Sequence, residues 1–391
     1  MAMETAPART PERQAFYERI APYNLAPLWE RLHNLVTPEP VTQCLPAIWH
    51  YREVRPHLMQ SGGLITAQEA TRRVLMLLNP GLGGEASITG SLFAGLQLIM
   101  PGEIAPAHRH SQSALRFIIE GHGAYTAVDG ERTLMEPGDF VITPSWTWHD
   151  HGNETSEPMV WLDGLDIQIV KLLNASFAEP GADDMQTVTR PEGDSFARFG
   201  HNLLPVDWKP QVKTSPVFNY PYARSREALD ALGKNGEPDP YHGHKLRYVN
   251  PATGESAMPT IGTFIQLLPK GFASQPYRAT DGAVYVCVEG EGETRVGDPR
   301  IGETVLRWGP RDNLRRAGLD GPHAPRGEGG GAVQLFRPPG AGKTRAVARG
   351  ARQRVRMKEE YSFIHNRHPR EGGGPGQPSK ARGPGFPLSR E

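Results

Sequence analysis

The pattern of apolar and polar positions divides the chain into two parts. In the first part, apolar residues recur three or four positions apart, which is the spacing of one helix face. These positions are Leu25, Leu28, Trp29, Leu32 and Leu35. Thr10 before Pro11, and Thr66 three residues before Glu69, are typical helix starts. We therefore predict an N-terminal helical arm over residues 1–85 that packs through its apolar face.

The pattern changes near Ser87, where short apolar runs begin to alternate with Gly and Pro turns. The runs are SLFAGLQLIM, ALRFIIE, FVITP and PMVWLDGLDIQIV. Strands at this spacing, separated by turns, are typical of a β-sandwich or barrel. We predict a β-barrel over residues 86–173. Residues 174–255 are polar and rich in Pro, so we expect a linker and inter-barrel segment with some helix.

An internal repeat predicts a second barrel. The segment LIMPGEIAPAHRHSQSALRFIIEGHG resembles LLPKGFASQPYRATDGAVYVCVEGEG at an offset of 169 residues. Gly102 then aligns with Gly271, and Glu120 with Glu289. Two copies of one β-unit predict duplicated barrels, with the second over residues 256–313. The fold class we expect is all-β with N-terminal helices.

Composition narrows the possible functions. A chain of 391 residues suits two or three domains, and its 43 basic residues balance 43 acidic ones. That balance argues against a protein that coats nucleic acid or anionic membranes. Two cysteines exclude a disulfide scaffold. The sequence has no apolar run of membrane-spanning length and no apolar signal core at its start, so we expect a cytoplasmic protein.

Three histidines are candidates for a metal site. His108 and His110 are two positions apart in a predicted strand, so both side chains point to the same face. His149 lies about forty residues later, after a turn segment that begins at Gly138. An adjacent strand could bring it to the same ion. The sequence therefore predicts a site with three imidazole ligands.

The two segments around these histidines resemble the motifs of the cupin family. The positions that fit the first motif are Gly102, His108, His110 and Gly121. Those that fit the second are Gly138, Pro144, His149 and Asn153, with Trp146 in the place of a glycine. The glutamate of the first motif falls at Ala114, which cannot bind a metal. Three neutral imidazoles suit iron, zinc, copper or nickel.

The three-histidine pattern, together with SALRFIIEGHGAYTAVDGE, PSWTWHDHGN and WLDGLDI, resembles the gentisate 1,2-dioxygenase family. The resemblance implies a bicupin that is usually a homotetramer. It implies that Fe(2+) bound by the three histidines and O2 open the gentisate ring to give maleylpyruvate. Salicylate and 1-hydroxy-2-naphthoate 1,2-dioxygenases share the architecture and remain alternatives. A non-catalytic cupin that binds small molecules is a further alternative.

Two interior residues are candidates for catalysis. Arg116 lies at even spacing from His110, so it should face the barrel interior, where a substrate carboxylate would satisfy it. A structural ion pair is the alternative. His151 shares the face of His149 and could hydrogen-bond a substrate hydroxyl or accept its proton. A supporting or exposed histidine is the alternative there.

The remaining candidates depend on the resemblance or on proximity in sequence. The resemblance implies substrate contacts from Gln97 and Arg72. Asp163 and Asp166 could hold the histidine ligands, although a plain turn or subunit contact explains them equally well. The second His-x-His, 242–244, lies in a polar segment, and we expect a loop.

The second unit lacks the metal motif. Tyr277 and Ala279 stand where the first unit has His108 and His110. We therefore expect no metal there, and a structural role for the second barrel.

The C-terminal sequence suggests translation out of frame after about Asn313. Residues 308–312 match the approach to the second motif, yet the sequence that follows shows no strand pattern. Residues 317–326 can be encoded so that a one-base shift yields Pro-Gly-Trp-Thr-Ala-His-Thr-His-Arg, the counterpart of the segment at Pro144. We therefore predict an incomplete second barrel and an out-of-frame, disordered tail over 314–391. A natural disordered tail is the alternative.

Overall fold

The helix starts predicted from the sequence are present. The computed structural model describes residues 9–298, 302–316, 325–327 and 331–337. The helices in this part are α1 (Pro11–Ile20), α2 (Leu32–Leu35), α3 (Tyr51–Gly62), α4 (Ala67–Ala70), α5 (Ile167–Leu172), α6 (Asp194–Phe199) and α7 (Tyr222–Asn235). Thr10 caps α1 by accepting from the Arg13 N–H at 3.3 Å, and Thr66 with Glu69 forms a capping box on α4.

The described residues include twenty strands. The first twelve are β1 (Ala47–Trp49), β2 (Val74–Met76), β3 (Phe93–Ile99), β4 (Ile104–His110), β5 (Ala114–Glu120), β6 (Tyr125–Val128), β7 (Glu131–Leu134), β8 (Phe140–Thr143), β9 (His149–Gly152), β10 (Met159–Leu165), β11 (Ala178–Pro180) and β12 (Asn219–Tyr220). The others are β13 (His244–Arg247), β14 (Gly262–Leu268), β15 (Ala283–Cys287), β16 (Gly292–Asp298), β17 (Gly302–Trp308), β18 (Asn313–Arg316), β19 (Pro325–Gly327) and β20 (Gly331–Arg337).

The sheets confirm the predicted duplication. A six-stranded sheet in the order β12-β8-β5-β10-β3-β2 and a five-stranded sheet in the order β11-β4-β9-β6-β7 form the first barrel. A second six-stranded sheet, β1-β18-β15-β20-β14-β13, has the corresponding order, and β17-β16-β19 is its partner. These two sheets form the second barrel. The all-β fold with N-terminal helices is therefore confirmed.

Three apolar clusters hold the barrels together. The largest contains residues from both six-stranded sheets, such as Leu96 and Phe117 from the first and Ile265 and Val286 from the second. The two sheets therefore share one core between the barrels. A second cluster, around Trp161, fills part of the first barrel's interior, and a third lies in the second barrel.

Each barrel receives its edge strand from the segment that precedes the other barrel. Strand β1 precedes the first barrel but pairs with β18 of the second, and β12 precedes the second but pairs with β8 of the first. The following helices begin alike, because the Tyr51 N–H donates to Asp312 at 2.9 Å and the Tyr222 N–H donates to Asp139 at 2.8 Å. We call these β1–α3 and β12–α7 segments the exchanged arms.

The exchanged arms are also tied to their own barrels. The hydroxyl of Tyr51 donates to Glu120 at 2.8 Å, and Arg55 forms an ion pair with the same carboxylate. In the second half, Tyr222 and Arg226 bind Glu289, which aligns with Glu120 in the internal repeat. The duplicated unit thus includes the arm as well as the barrel.

The N-terminal arm differs from the expectation in two ways. It contains β1 and β2 as well as helices. Its apolar positions do not pack as a buried face: Leu25 and Leu35 are more than half exposed, and Trp29 is 49% exposed. Short helical turns at 21–23 and 28–30 interrupt the helix, so these side chains do not form one continuous stripe.

The C-terminal expectation also needs correction. Strand β18 continues past residue 313 to Arg316, and residues 325–327 and 331–337 are also strands, although we expected a disordered tail from residue 314. Strand β20 inserts between β14 and β15, whose facing edges would otherwise lack hydrogen-bond partners. The rest of the predicted tail lies outside the described residues. No helix in the described part is long and apolar enough to cross a membrane.

Candidate active site

The three candidate ligands meet inside the first barrel. Strand β4 carries His108 and His110, and β9, paired with β4, carries His149. One ring nitrogen of each lies within 4.8 Å of the others. The ring centroids are 4.5 to 5.3 Å apart. The predicted alternation therefore brings three imidazoles to one point, as a metal ion requires.

Backbone carbonyls give two of the three imidazoles a defined tautomer. The Nδ1 of His110 lies 2.9 Å from the Gln112 carbonyl, and that of His149 lies 3.0 Å from the Thr147 carbonyl. Because a carbonyl only accepts, both Nδ1 atoms carry the proton and leave Nε2 for a metal. Burial lowers the pKa of His110 to about 4 and that of His149 well below 6.5, and nearby arginine charges add to the effect.

Arg116 and His151 form a buried hydrogen-bonded chain beside the histidines. The Arg116 side chain donates to Thr143 Oγ1 at 2.6 Å and to His151 Nε2 at 3.0 Å. The His151 Nδ1 lies 2.8 Å from Thr126 Oγ1. Arginine has no acceptor, so His151 accepts at Nε2 and donates at Nδ1. Burial, followed by the charges of Arg116 and Arg72, holds the pKa of His151 well below 6.5.

Positive charge is only partly neutralised in this interior. Arg72 binds the carbonyls of Thr71 and Pro106, and its other terminal nitrogen is buried without a hydrogen bond. The Arg116 Nε is likewise without a hydrogen bond, and it lies 3.8 Å from the Asp163 carboxylate. Burial lowers the pKa of Arg72 to about 9 and that of Arg116 to about 10, so both are charged at neutral pH. Two cations that each have a buried donor nitrogen without a hydrogen bond indicate an anion site.

Gln97 lies on the same interior surface. It is buried on β3 and pairs with Trp161 of β10, whose ring is 5.3 Å from that of His151. The structure therefore brings together the seven residues singled out from the sequence: His108, His110, His149, His151, Arg116, Arg72 and Gln97.

Asp163 and Asp166 do not hold the histidine ligands. Asp163 accepts from the Trp161 ring N–H at 2.9 Å and lies near Arg116. Burial raises its pKa to about 6, although Arg116 opposes the shift. Asp166 accepts from the Ser113 N–H and from Thr260, and so ties the end of β10 to the second half of the chain. Backbone carbonyls orient two of the three ligands instead.

The second His-x-His segment and the second barrel lack the features of the first site. His242 lies in a turn as expected, but His244 begins strand β13 and is buried. Neither belongs to a metal-competent group among the described residues. Residues 274–279, which include Tyr277 and Ala279 and are all described, form no strand. The second barrel therefore lacks the counterpart of β4, the strand that carries two ligands in the first.

Sequence reasoning missed the residues that support the site. Thr126 and Thr143 fix His151 and Arg116, and Arg109 lies between the Trp146 and Trp148 rings at 4.5 and 4.6 Å. Strand alternation places Thr143 on the interior face and could have identified it. Nothing in the local pattern distinguishes Thr126 from an ordinary strand residue.

Comparison with known proteins establishes the family. The cupin domain profile matches residues 95–165, the part that contains all three histidines. Gentisate 1,2 dioxygenase 1 from Aquipseudomonas alcaligenes is 57% identical over 314 residues, which are 80% of this chain and 89% of that protein. This chain belongs to the gentisate 1,2-dioxygenase family. It is therefore an oxidoreductase of the ring-cleaving dioxygenase type.

Other members of this dioxygenase group match less closely. The 5-aminosalicylate 1,2-dioxygenase of a Comamonas species is 38% identical over 76% of this chain and 79% of that protein. A structure of salicylate 1,2-dioxygenase from Pseudoaminobacter salicylatoxidans with gentisate aligns with a TM-score of 0.78 and 31% identity. The alignment covers 86% of this chain and 92% of that one. The names of these related proteins thus refer to several ortho-hydroxy aromatic acids.

Proposed function

We propose that this protein is an iron(II)-dependent gentisate 1,2-dioxygenase that opens the ring of gentisate with O2 to give maleylpyruvate. The proposal rests mainly on one observation: three neutral histidines lie in one barrel interior with the buried Arg116 and the partly buried Arg72. The 57% identity to a gentisate 1,2 dioxygenase supports the same substrate.

The donor set fits iron(II). Imidazole is a suitable ligand for ferrous iron, and three neutral ligands leave the full charge of the ion and open positions. His108, His110 and His149 would hold it, with Nε2 as the donor atom of at least the last two. When bound there, iron(II) would supply open positions for the substrate oxygens and for O2.

Arg116 binds and orients the substrate carboxylate in this proposal. Its guanidinium is buried, its Nε lacks a hydrogen bond, and Asp163 is 3.8 Å away. A carboxylate would complete its hydrogen bonds in a bidentate geometry. Arg72 adds a second positive charge, and Gln97 offers an amide to the polar substituents of the ring.

His151 accepts a hydrogen bond from the phenolic hydroxyl of the substrate in this proposal. In the absence of substrate, its Nε2 accepts a hydrogen bond from Arg116. When Arg116 turns to the carboxylate, Nε2 becomes available to the neighbouring hydroxyl. Thr126 holds the ring in the tautomer that can accept there.

The substrate test compares three acids. The purified chain is reconstituted with iron(II) without oxygen, and O2 uptake is then measured with gentisate, salicylate and 1-hydroxy-2-naphthoate. We expect gentisate to give the highest kcat/KM. A higher value for salicylate or hydroxynaphthoate would reassign the substrate. Binding of the acids without O2 uptake would favour a small-molecule-binding cupin.

We further propose that the enzyme works as a cytoplasmic homo-oligomer, with a tetramer as the expected state. The exposed apolar side chains of the arm, including Leu25, Trp29 and Leu35, offer a surface for another copy. Light scattering measures the assembly directly. A monomer at micromolar concentration would contradict this part of the proposal.

A further inference from the structure

The residues next to the candidate metal ligands on their strands point away from the candidate metal site. Alternation along a strand turns His108, His110 and His149 inward, so Arg109 on β4 and Asp150 on β9 face the opposite side of the sheet. Both are held by residues 176–190, which sequence analysis placed in a linker. We call residues 176–190 the outer strap.

The strap holds β4 through backbone and side-chain contacts. Its strand β11 pairs with the ligand-bearing end of β4, so that Ala178 faces His110 and Pro180 faces His108. Between them, Glu179 accepts two hydrogen bonds from Arg109 at 2.9 and 2.6 Å. The Arg109 guanidinium also lies between two tryptophan rings, which restricts its motion.

Gln186 of the strap holds β9 in the same way. Its side-chain amide donates to the Asp150 carboxylate at 3.0 Å and to the Trp148 carbonyl at 3.3 Å, which are the two neighbours of His149. The Ala127 carbonyl of the adjacent strand lies 3.0 Å from the same amide nitrogen, so its two N–H groups are shared among three acceptors, and the amide oxygen accepts from the Gly130 N–H at 2.6 Å. The Gln186 backbone N–H also donates to Asp150 at 3.0 Å.

We propose that Gln186 is a positioning residue for the metal centre and fixes His149 from the far side of its strand, assisted by Glu179 on β4. The inference rests on the three-histidine metal site of the proposed function. Rotation of a strand's backbone also turns the side chain that points inward, so the strand alone does not fix the orientation of His149. Restraining both neighbours of His149 therefore fixes the direction of the ligand bond. Partners that hydrogen-bond a ligand side chain directly contribute about 10- to 100-fold to metal affinity, and that range sets the scale for Gln186, which acts on the two neighbours of His149.

The test removes the amide without changing side-chain length. Gln186→Met keeps the size of the side chain and removes its hydrogen bonds. Metal affinity is measured on the full chain by competition between cobalt(II) and a chelator, and the visible spectrum of bound cobalt reports ligand geometry. We expect at least tenfold weaker binding and an altered spectrum. Hydrogen exchange of the 148–151 amides without metal should also be faster.

Two further variants make the outcome decisive. Gln168→Met is the matched control, because Gln168 on α5 donates to the Ala86 carbonyl, away from the ligand strands. It should bind cobalt like the parent chain. Glu179→Gln alters a half-exposed side chain and should weaken cobalt binding less than Gln186→Met does, so it decides the question if Gln186→Met does not fold.

The result also separates this proposal from the proposed function. Unchanged affinity and an unchanged cobalt spectrum in both Gln186→Met and Glu179→Gln would overturn the positioning role. If His108→Ala still abolishes cobalt binding in that case, the metal site stands without the strap. If His108→Ala binds cobalt as well as the parent chain, the metal site itself is wrong.

Discussion

At the scale of single residues, the active site follows from the alternation of a strand. The spacing of His108 and His110 predicted a shared face, and even spacing from His110 placed Arg116 on it. The structure confirms that these groups lie in one interior. Alternation places Thr143 on the interior face, but its contact with Arg116 and that of Thr126 with His151 could not be predicted, because only tertiary pairing brings these strands together.

Removing the guanidinium of Arg116 should weaken substrate binding. Truncating one partner of a buried charge pair costs about 2–5 kcal/mol, so we expect Arg116→Ala to raise the KM for gentisate at least about 30-fold. Steady-state O2 uptake measures this. Arg198→Ala is the control, because Arg198 is exposed and pairs with Asp194 within α6. An unchanged KM in Arg116→Ala would assign Arg116 to a structural ion pair.

The buried histidines should make the metal-free chain sensitive to acid. Burial holds the pKa of His149 and of His151 well below 6.5, so below that pH the unfolded chain binds protons that the folded chain excludes. The free energy of unfolding is therefore highest above pH 6.5 and decreases as the pH falls below that value. Each histidine contributes up to about 1.4 kcal/mol per pH unit.

Urea unfolding of the metal-free chain at pH 7, 6 and 5 measures this dependence. The free energy of unfolding should fall with each step, and His151→Gln should make the fall shallower. A free energy that stays constant from pH 7 to pH 5 would show that the interior accommodates protonated histidine.

At the scale of elements, the exchange of arms was not predicted from the sequence. Strands β1 and β12 have only three and two residues, too few for a periodic pattern. A signal does exist at an offset of 171 residues: Tyr51 and Arg55 align with Tyr222 and Arg226. Asn79-Pro80 aligns with Asn250-Pro251 at the same offset. A search for repeats outside the barrel strands would have found both.

The two aspartates that start the arm helices should contribute equally to stability. Asp139 and Asp312 each accept a backbone N–H from the first residue of an arm helix, and both are buried. Replacing either with Ala leaves that donor unsatisfied, at a cost of about 1–3 kcal/mol. Denaturant unfolding measures the loss. Asp230→Ala, which removes a half-exposed carboxylate from α7, should cost less than about 1 kcal/mol.

The comparison between the two aspartates tests the duplication itself. If Asp139→Ala destabilises the chain and Asp312→Ala does not, then the second arm junction is not equivalent to the first. Only the arm that pairs with the first barrel would then contribute to stability through its aspartate.

At the scale of the whole molecule, the C-terminal part of the second barrel departs from the first. In the aligned sheets, Asn313 takes the place of Phe140, which is fully buried in the shared core. Asn313 is also fully buried, and its side-chain oxygen has no hydrogen bond. A buried amide oxygen without a partner is costly, and an apolar residue would suit the position better. This supports the hypothesis that the reading frame changes near this residue.

The nucleotide sequence tests the frame hypothesis. Read one base over from the Asn313 codon, it should encode an apolar strand followed by the Pro-x-Trp-Thr-x-His element. The corrected chain should unfold at higher temperature, because an apolar residue would replace the unsatisfied amide in the core. A gene that lacks the element in the shifted frame would leave a natural tail as the explanation.

The most direct test of the whole account is the fate of oxygen during turnover. The iron(II)-reconstituted chain is mixed with gentisate under ¹⁸O₂, and the product is analysed by mass spectrometry. We predict one O2 consumed per gentisate, with both labelled atoms in a ring-opened product, and no turnover by His108→Ala. An iron-loaded chain that leaves gentisate, salicylate and 1-hydroxy-2-naphthoate unchanged would contradict the account.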